Sequence, residues 1–284
     1  MSLDPHPPRR PRLWEAWTHG QLVIFALLLL GAEMFWWMVV YRLTGDAFAA
    51  SLVGIALAVL LPCMAAAWWH GETLARAFQL RATGPAALVG VAAGLLSWAP
   101  ASYLASLSSR LHPPSAEYLQ LVAENLPHGA VDPAVAVHAV AVAAPIGEEL
   151  IFRGILFRVA RERWGWLRAA VLTGLFFGVV HWAPWHLFGL VALGLLLALL
   201  YHLTRSLLTP MLTHATYNLI SLGLLIRSGD AAKAPAGEAA HGMAAGDWLL
   251  VGASALLLAG LVAWLWRRAA RLAAVRPEDR DDQT

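Results

Sequence analysis

The sequence predicts an all-α fold, a polytopic membrane helical bundle of about eight transmembrane helices with both termini in the cytoplasm. Composition is the first observation behind this prediction: 59% of the 284 residues are hydrophobic and 13% are charged, whereas a soluble domain carries about 25% charged residues. The mean hydropathy of +0.61 agrees with it. The second observation is a series of apolar stretches of about 20 residues, the length that spans a hydrocarbon core about 30 Å thick.

Eight apolar stretches follow one another along the chain. They cover residues 21–41, 47–69, 85–107, 134–160, 167–184, 187–203, 207–226 and 247–266. The fourth stretch is long and is interrupted by Pro145, and the sixth is short. The stretches divide the chain into a cytoplasmic N-terminal segment (1–20), three spans with an external loop (21–132), four spans (133–226), an external loop with the last span (227–266) and a cytoplasmic tail (267–284).

Basic residues indicate how the bundle is oriented. If the N-terminus is inside, 15 arginines fall on the cytoplasmic side and four basic residues on the other, with Arg153 set aside. Because cytoplasmic loops are enriched in Lys and Arg, this split predicts that both termini are cytoplasmic. The chain has no organelle-targeting or retention signal, which favours a multi-pass protein of a bacterial plasma membrane. The lipid bilayer is then a partner, whereas no Lys/Arg run with interleaved aromatic residues suggests nucleic acid.

Two adjacent acids, Glu148 and Glu149, lie inside the fourth span, with Arg153 four residues later. Ionised groups in a membrane are costly, so such a cluster is a functional-site hypothesis by default. On a helix, Glu149 and Arg153 are i,i+4 neighbours and can pair. Glu148 then points about 100° away and has no partner of its own in this segment.

Depth in the membrane predicts which residues meet Glu148. The fourth and fifth spans form a hairpin with its turn near 161–168, so Glu148 and His181 each lie 13 residues, or about 20 Å, from the inner boundary. On the seventh span, Asn218 is at the same depth, and His214 lies one turn nearer the cytoplasm on the same face. An acid, two imidazoles and a carboxamide on three helices therefore converge on one layer, which packing alone does not readily explain. Lone polar residues in the spans, such as Glu33, are instead expected to hydrogen-bond between helices.

The four convergent residues suit hydrolysis. Glu148 in a low-dielectric site could accept a proton from a water molecule that His181 orients. His214 and Asn218 could donate hydrogen bonds to the developing oxyanion. A serine or cysteine nucleophile is not expected, because no Gly-x-Ser-x-Gly occurs and Cys63 lies in a different span.

Three motifs carry a resemblance to a known family. They are Glu148-Glu149-x-x-x-Arg153, Phe177-x-x-x-His181 and His214-x-x-x-Asn218. In order and spacing they resemble the signature of the CPBP (CAAX protease and bacteriocin-processing, or Abi) intramembrane endopeptidases, which include the type II CAAX prenyl endopeptidases. The resemblance covers residues 134–222. It implies an intramembrane peptidase acting on a membrane-associated protein or peptide, of CAAX type or related to it.

The resemblance also implies which residues act. Glu148, His181, His214 and Asn218 are then the functional residues, with Glu149, Arg153 and Phe177 in support. A cofactor stays open: Glu148, His181 and His214 could hold Zn²⁺ with a free position for water. A mechanism that depends on the glutamate alone is favoured, because no His-Glu-x-x-His helix is present and zinc ligation would occupy the proposed base.

Two other functions stay open besides the peptidase. One is a non-catalytic membrane scaffold or regulator of the same fold, since a fold alone does not carry an activity. The costly polar set argues against it. The other is a transporter or proton relay that uses the same buried acids and imidazoles. The third span argues against it, because it offers Ser97, Ser102 and Tyr103 and no ionisable relay.

Overall fold

The computed structural model describes residues 11–81, 84–124, 133–231 and 245–274. Helices joined by turns make up these four ranges, and no strand occurs within them, which confirms the all-α class. In chain order the helices are α1 Leu13–Ala16, α2 His19–Thr44, α3 Ala47–Trp69, α4 Leu74–Ala77, α5 Gly84–Leu111, α6 Ala116–Glu124, α7 Pro133–Trp164, α8 Trp166–Val180, α9 Leu187–Thr204, α10 Leu208–Ala231 and α11 Ala245–Ala274. A 3-10 turn, Pro184–His186, leads into α9.

A helix is present at each of the eight predicted spans. Within the described ranges, six segments are long and apolar enough to cross a membrane: α2, α3, α5, α7, α9 with its leading turn, and α11. The helix α8 is apolar but has only 15 residues, and α10 is a helix of 24 residues with several polar groups. The chain is therefore a helical polytopic membrane protein, as predicted.

Several helix ends differ from the predicted spans, and one additional helix is present. The helix α11 continues to Ala274, into the stretch predicted as a cytoplasmic tail. The helix α6 forms inside the predicted external loop, where the Ser115 hydroxyl accepts a hydrogen bond from the Tyr118 amide in its first turn. The helix α8 ends at Val180 and not at 184, because Trp182 adopts a left-handed φ of +52° that terminates it.

The helix α7 is continuous and is not broken at Pro145. It contains two segments of π-helix, His138–Ala143 and Leu150–Phe157. In a π-helix each N–H bonds to the carbonyl five residues earlier, and such segments occur frequently at functional sites. Glu148 and Glu149 lie on the short α-helical stretch between the two segments. The two acids are therefore flanked on each side by a change between α-helical and π-helical hydrogen bonding.

Small residues let the helices around α7 approach closely. The helix α5 packs against α10, where the Thr213 hydroxyl donates to the carbonyl of Gly90 at 3.0 Å. A Cβ at Gly94 would lie 2.7 Å from the Thr213 carbonyl oxygen, so only glycine fits there. The helices α8 and α9 meet at Gly174 and Gly194 in a similar way. In lipid, close contacts of this kind drive helix association in place of hydrophobic burial.

Candidate active site

The ion pair between Glu149 and Arg153, predicted from their spacing, is present and fully buried. Arg153 Nη1 donates to Glu149 Oε1 at 2.9 Å, and both side chains are 0% exposed. Arg153 Nη2 donates to the Gly194 carbonyl on α9 at 2.8 Å. The guanidinium carbon lies 4.7 Å from the centre of the Phe177 ring on α8, a cation–π distance. Arg153 therefore connects α7 to both α8 and α9.

Glu149 has a second partner that the spacing argument did not predict. His214 on α10 is buried, and its Nδ1 atom lies 3.2 Å from Glu149 Oε1, the oxygen that Arg153 also contacts. Because a carboxylate only accepts hydrogen bonds, Nδ1 carries the hydrogen and donates it. Depth placed His214 near the acids. Which acid it faces depends on the rotation of α10 about its axis, and depth carries no information on that rotation.

His181 stands at the end of α8. Its Nδ1 atom is within hydrogen-bonding distance of the Phe177 carbonyl. A carbonyl only accepts, so the hydrogen of this ring is also on Nδ1. The next residue, Trp182, has a φ of +52°, which is strained for a bulky side chain. Strained backbone of this kind clusters at functional sites.

Glu148 faces both imidazoles. Its Oε2 atom is 3.6 Å from His181 Nε2 and 3.9 Å from His214 Nε2. With each ring hydrogen on Nδ1, the neutral imidazoles present only acceptor nitrogens to this oxygen, so three acceptors converge. The Oε2 atom is buried and forms no hydrogen bond with the described residues. Acceptors at these separations suit a donor between them, and a water molecule offers two O–H groups.

Asn218 approaches this centre from α10 and is bonded to the first π segment of α7. The ladder of that segment would next pair the Val140 carbonyl with the N–H of residue 145, but Pro145 has none. The Asn218 Nδ2 atom donates to the Val140 carbonyl at 2.9 Å instead. A carboxamide has two N–H hydrogens, so one is left for another acceptor. Sequence reasoning predicted the position of Asn218 but not this contact.

Two cavities meet at Glu148 and His181. The first cavity has a volume of about 530 Å³, and all four residues of the predicted site line it. The second cavity, of about 730 Å³, is lined by residues of α2, α7 and α8 together with Trp182, and Glu33 contributes to it with Glu148 and His181. Trp37 of α2 lines both cavities. The proposed base is thus accessible from two sides.

Glu33 does not behave as the sequence indicated. It forms no hydrogen bond or ion pair with the described residues, so the expected bond between helices is wrong for this residue. Its position four residues before Trp37 is the signal that could have found it, because the two side chains share one face of α2. Glu33 is the part of the site that sequence reasoning missed.

Comparison with known proteins agrees with this geometry. Residues 130–220 match the profile of a family described as "Type II CAAX prenyl endopeptidase Rce1-like". A protein of Bacillus subtilis (strain 168), "Putative membrane peptidase YdiL", is 34% identical over 77 residues, which are 27% of this chain and 32% of the relative. These two matches support a likeness of residues 130–220 to the CPBP intramembrane peptidases. No solved structure matches the chain.

The CPBP match covers the site and leaves much of the chain outside it. The matched range contains the four predicted functional residues and the three supporting ones. The chain aligns with about a third of the length of the curated relative. The helices α2, α3, α5 and α11 lie outside the matched range, and Glu33 lies there with them. The core is therefore similar to an intramembrane protease family, while α2 and its carboxylate are features of this chain that the match does not describe.

The sequence left open a zinc centre on Glu148, His181 and His214. Zinc takes nitrogen and oxygen ligands at about 2.0–2.2 Å in a tetrahedral arrangement. Within the four described ranges, no group of three or more His, Cys, Asp or Glu side chains is arranged to hold a metal ion.

Proposed function

We propose that this protein is an intramembrane endopeptidase that hydrolyses a peptide bond of a membrane-associated protein or peptide, with Glu148 as the general base. The observation that carries the proposal is the convergence of three acceptors, Glu148 Oε2 and the Nε2 atoms of His181 and His214, beside one cavity. A water molecule held by two of these acceptors is oriented as a nucleophile. The CPBP family match supports the same class of reaction.

Each of the four residues has a role in the proposed reaction. Glu148 takes one proton from water while the water oxygen attacks the substrate carbonyl carbon, and His181 accepts a hydrogen bond from the other O–H and so orients the water. The carbonyl oxygen becomes an oxyanion. The remaining N–H of Asn218 donates to it, and His214 donates from Nε2 when its ring is protonated. Glu148 then gives its proton to the leaving nitrogen, the C–N bond breaks, and the carboxylate is restored.

Glu149, Arg153 and Phe177 support this set. Glu149 holds the His214 ring through Nδ1, as a carboxylate orients the imidazole of a hydrolase triad. Arg153 balances the charge of Glu149. The Phe177 ring lies against both imidazoles, with centroid distances of 4.6 Å to His181 and 5.7 Å to His214. These contacts keep both Nε2 atoms directed at Glu148.

The family description suggests a substrate class. A prenylated C-terminal peptide of CAAX type, or another membrane-associated peptide processed in a related way, is the proposed substrate. The apolar lining of the first cavity, which includes Trp37, Phe48 and Leu190, supports an apolar peptide or chain beside the four polar residues.

The test compares the membrane peptidomes of cells that express the wild-type chain, Glu148→Gln or Glu162→Gln. Glu162 is a matched control on the same helix, because its side chain is half exposed and its carboxylate pairs with His19. We expect a set of peptides that depends on the wild-type chain and on the control and is lost with Glu148→Gln. Identical peptidomes in all three strains would contradict the proposal. If a cellular phenotype nevertheless required the chain, the scaffold function would replace it.

A further inference from the structure

Glu33 is an ionisable residue inside a span that the proposed mechanism does not use. It lies near the middle of α2, about 20 Å from the start of that helix at 1.5 Å per residue. Ionisable side chains within membrane spans are costly and almost always pair with one another or with the backbone. Glu33 has no hydrogen bond or ion pair with the described residues. A carboxylate in this position is unexplained by the packing of the chain alone.

The backbone and stem of Glu33 are held firmly, although its carboxylate is not. Gly54 of α3 packs against it, and a Cβ at Gly54 would lie 3.3 Å from the Glu33 carbonyl oxygen and 3.8 Å from its Cγ atom. The side chain lines the second cavity together with Glu148 and His181. The packing therefore fixes where Glu33 stands, while the cavity leaves room for a partner at its carboxylate.

The ionisable groups around the second cavity are mostly acidic. Its ionisable lining residues are two carboxylic acids, Glu33 and Glu148, and one imidazole, His181. Arg153 does not line it and is bound to Glu149. The rest of the lining is apolar, with Met34, Phe152 and Trp182 among others. In such surroundings a cationic group is attracted and an anionic group is repelled more strongly than in water.

We propose that Glu33 forms a subsite that binds a basic side chain of the substrate close to the cleaved bond. The inference rests on the proposed peptidase function and adds a substrate preference to it. Lysine and arginine suit the subsite on two counts. Their long aliphatic stems lie well against apolar walls, and their charged ends pair with a carboxylate.

The position of the second cavity limits where the basic residue stands in the substrate. An extended peptide advances about 3.3 Å per residue. Because Glu148 and His181 line the same cavity as Glu33, a side chain bound at Glu33 belongs to a residue within a few positions of the bond at Glu148. The expected preference is therefore local to the cleavage site.

The test uses the full chain in lipid nanodiscs and a library of membrane-anchored peptides. Members differ in having Lys, Met or Glu at single positions on either side of the cleaved bond. We expect the wild-type chain to cleave Lys members with a kcat/KM about tenfold above that for Met members. In Glu33→Gln the ratio of the two should fall to near one. In Glu33→Lys the preference should invert toward Glu members, an outcome that a misfolded variant does not produce.

Controls separate this inference from the proposed function. Glu162→Gln should keep the wild-type ratio, because its carboxylate lies on the far part of α7 and contacts His19. A wild-type chain that cleaves Lys and Met members equally, or a ratio unchanged in Glu33→Gln, would overturn the Glu33 subsite alone. Cleavage that persists in Glu148→Gln would overturn the peptidase mechanism itself. The two failures are therefore distinguishable in one library.

Discussion

Glu148 and Glu149 are neighbours in the chain and have opposite surroundings. Glu149 is fully buried and one of its oxygens contacts both Arg153 and His214. Glu148 borders two cavities, and its Oε2 atom faces the Nε2 atoms of His181 and His214 at 3.6 Å and 3.9 Å. We call Glu149, Arg153 and His214 the closed side of the site. Glu148 and His181 are its open side.

The two sides contribute differently: the closed side stabilises the fold, and the open side is suited to the reaction. On the closed side Glu149 and Arg153 offset each other's charge, and their contacts with His214 and Gly194 join α7 to two other helices, which is the arrangement that a buried charge needs. On the open side the acceptors converge without a protein donor, which is unfavourable for stability and suited to holding water. Proteins commonly give up stability at the site of their activity in this way. Substitutions on the two sides should therefore affect different measurements.

The largest expected effect on stability is on the closed side. Arg153→Met leaves Glu149 buried without its cation, which should lower the free energy of unfolding by about 3–5 kcal/mol. Thermal and chemical unfolding in detergent measures it, with the exposed Arg163→Met on the same helix as the control. Adding Glu149→Gln should recover part of the loss, because both charges are then removed together. If the double variant is less stable than Arg153→Met, the claim that Glu149 and Arg153 balance each other's charge is wrong.

Within the closed side, the ion pair between Glu149 and Arg153 is the contact that the sequence predicted. The i,i+4 spacing of Glu149 and Arg153 defines a contact within one helix, so the chain alone specifies it. Hydropathy likewise predicted the eight helical segments, because a bilayer requires helices of one length. The residue number along each helix gave the depth of Glu148, His181 and Asn218, and the structure brings all three to one cavity.

Other features depend on the rotation and winding of the helices, which residue spacing does not encode. Pro145 indicated an interruption, whereas π-helical turns carry α7 through it. The contact of His214 with Glu149 requires a particular face of α10. Glu33 lines a cavity with Glu148 because α2 packs beside α7, and its spacing from Trp37 gives its face on α2 but not the neighbouring helix.

Removal of the Asn218 side chain should have an intermediate effect on stability. Asn218→Ala removes the donor to the Val140 carbonyl, which should cost about 1–3 kcal/mol if that group becomes unsatisfied. Pro145→Ala restores an N–H that can serve the same carbonyl, so the cost of Asn218→Ala should be smaller in that background. A double-mutant cycle on unfolding free energies measures the coupling.

The same cycle separates two roles of Asn218. If its second N–H also stabilises the oxyanion, proteolysis stays low in the double variant although stability recovers. Strictly additive free energies, with no coupling between Asn218 and Pro145, would show that the Val140 hydrogen bond does not hold this part of α7.

On the open side the expected change in stability is small. Glu148→Gln keeps the shape of the side chain and removes a charge that has no ionised partner in direct hydrogen-bonding contact. The unfolding free energy should change by less than about 1 kcal/mol, within the range of substitutions that break no native network. The proteolysis measured in nanodiscs should nevertheless be lost. A destabilisation as large as that of Arg153→Met would place Glu148 on the closed side and remove the contrast.

Removal of metal ions should have the smallest effect of all. A zinc ion on Glu148, His181 and His214 would supply the open side with the positive charge that it lacks, and the two sides would then be alike. Because the proposed mechanism uses Glu148 as a base and not as a metal ligand, we expect cleavage rates to be unchanged after exhaustive chelation. The metal content of the purified chain, measured by elemental analysis, should be far below one equivalent. Activity that is lost on chelation and restored by Zn²⁺ would instead assign Glu148 to a ligand set, and the role of general base would have to pass to another carboxylate, for which Glu33 in the adjoining cavity is the nearest candidate.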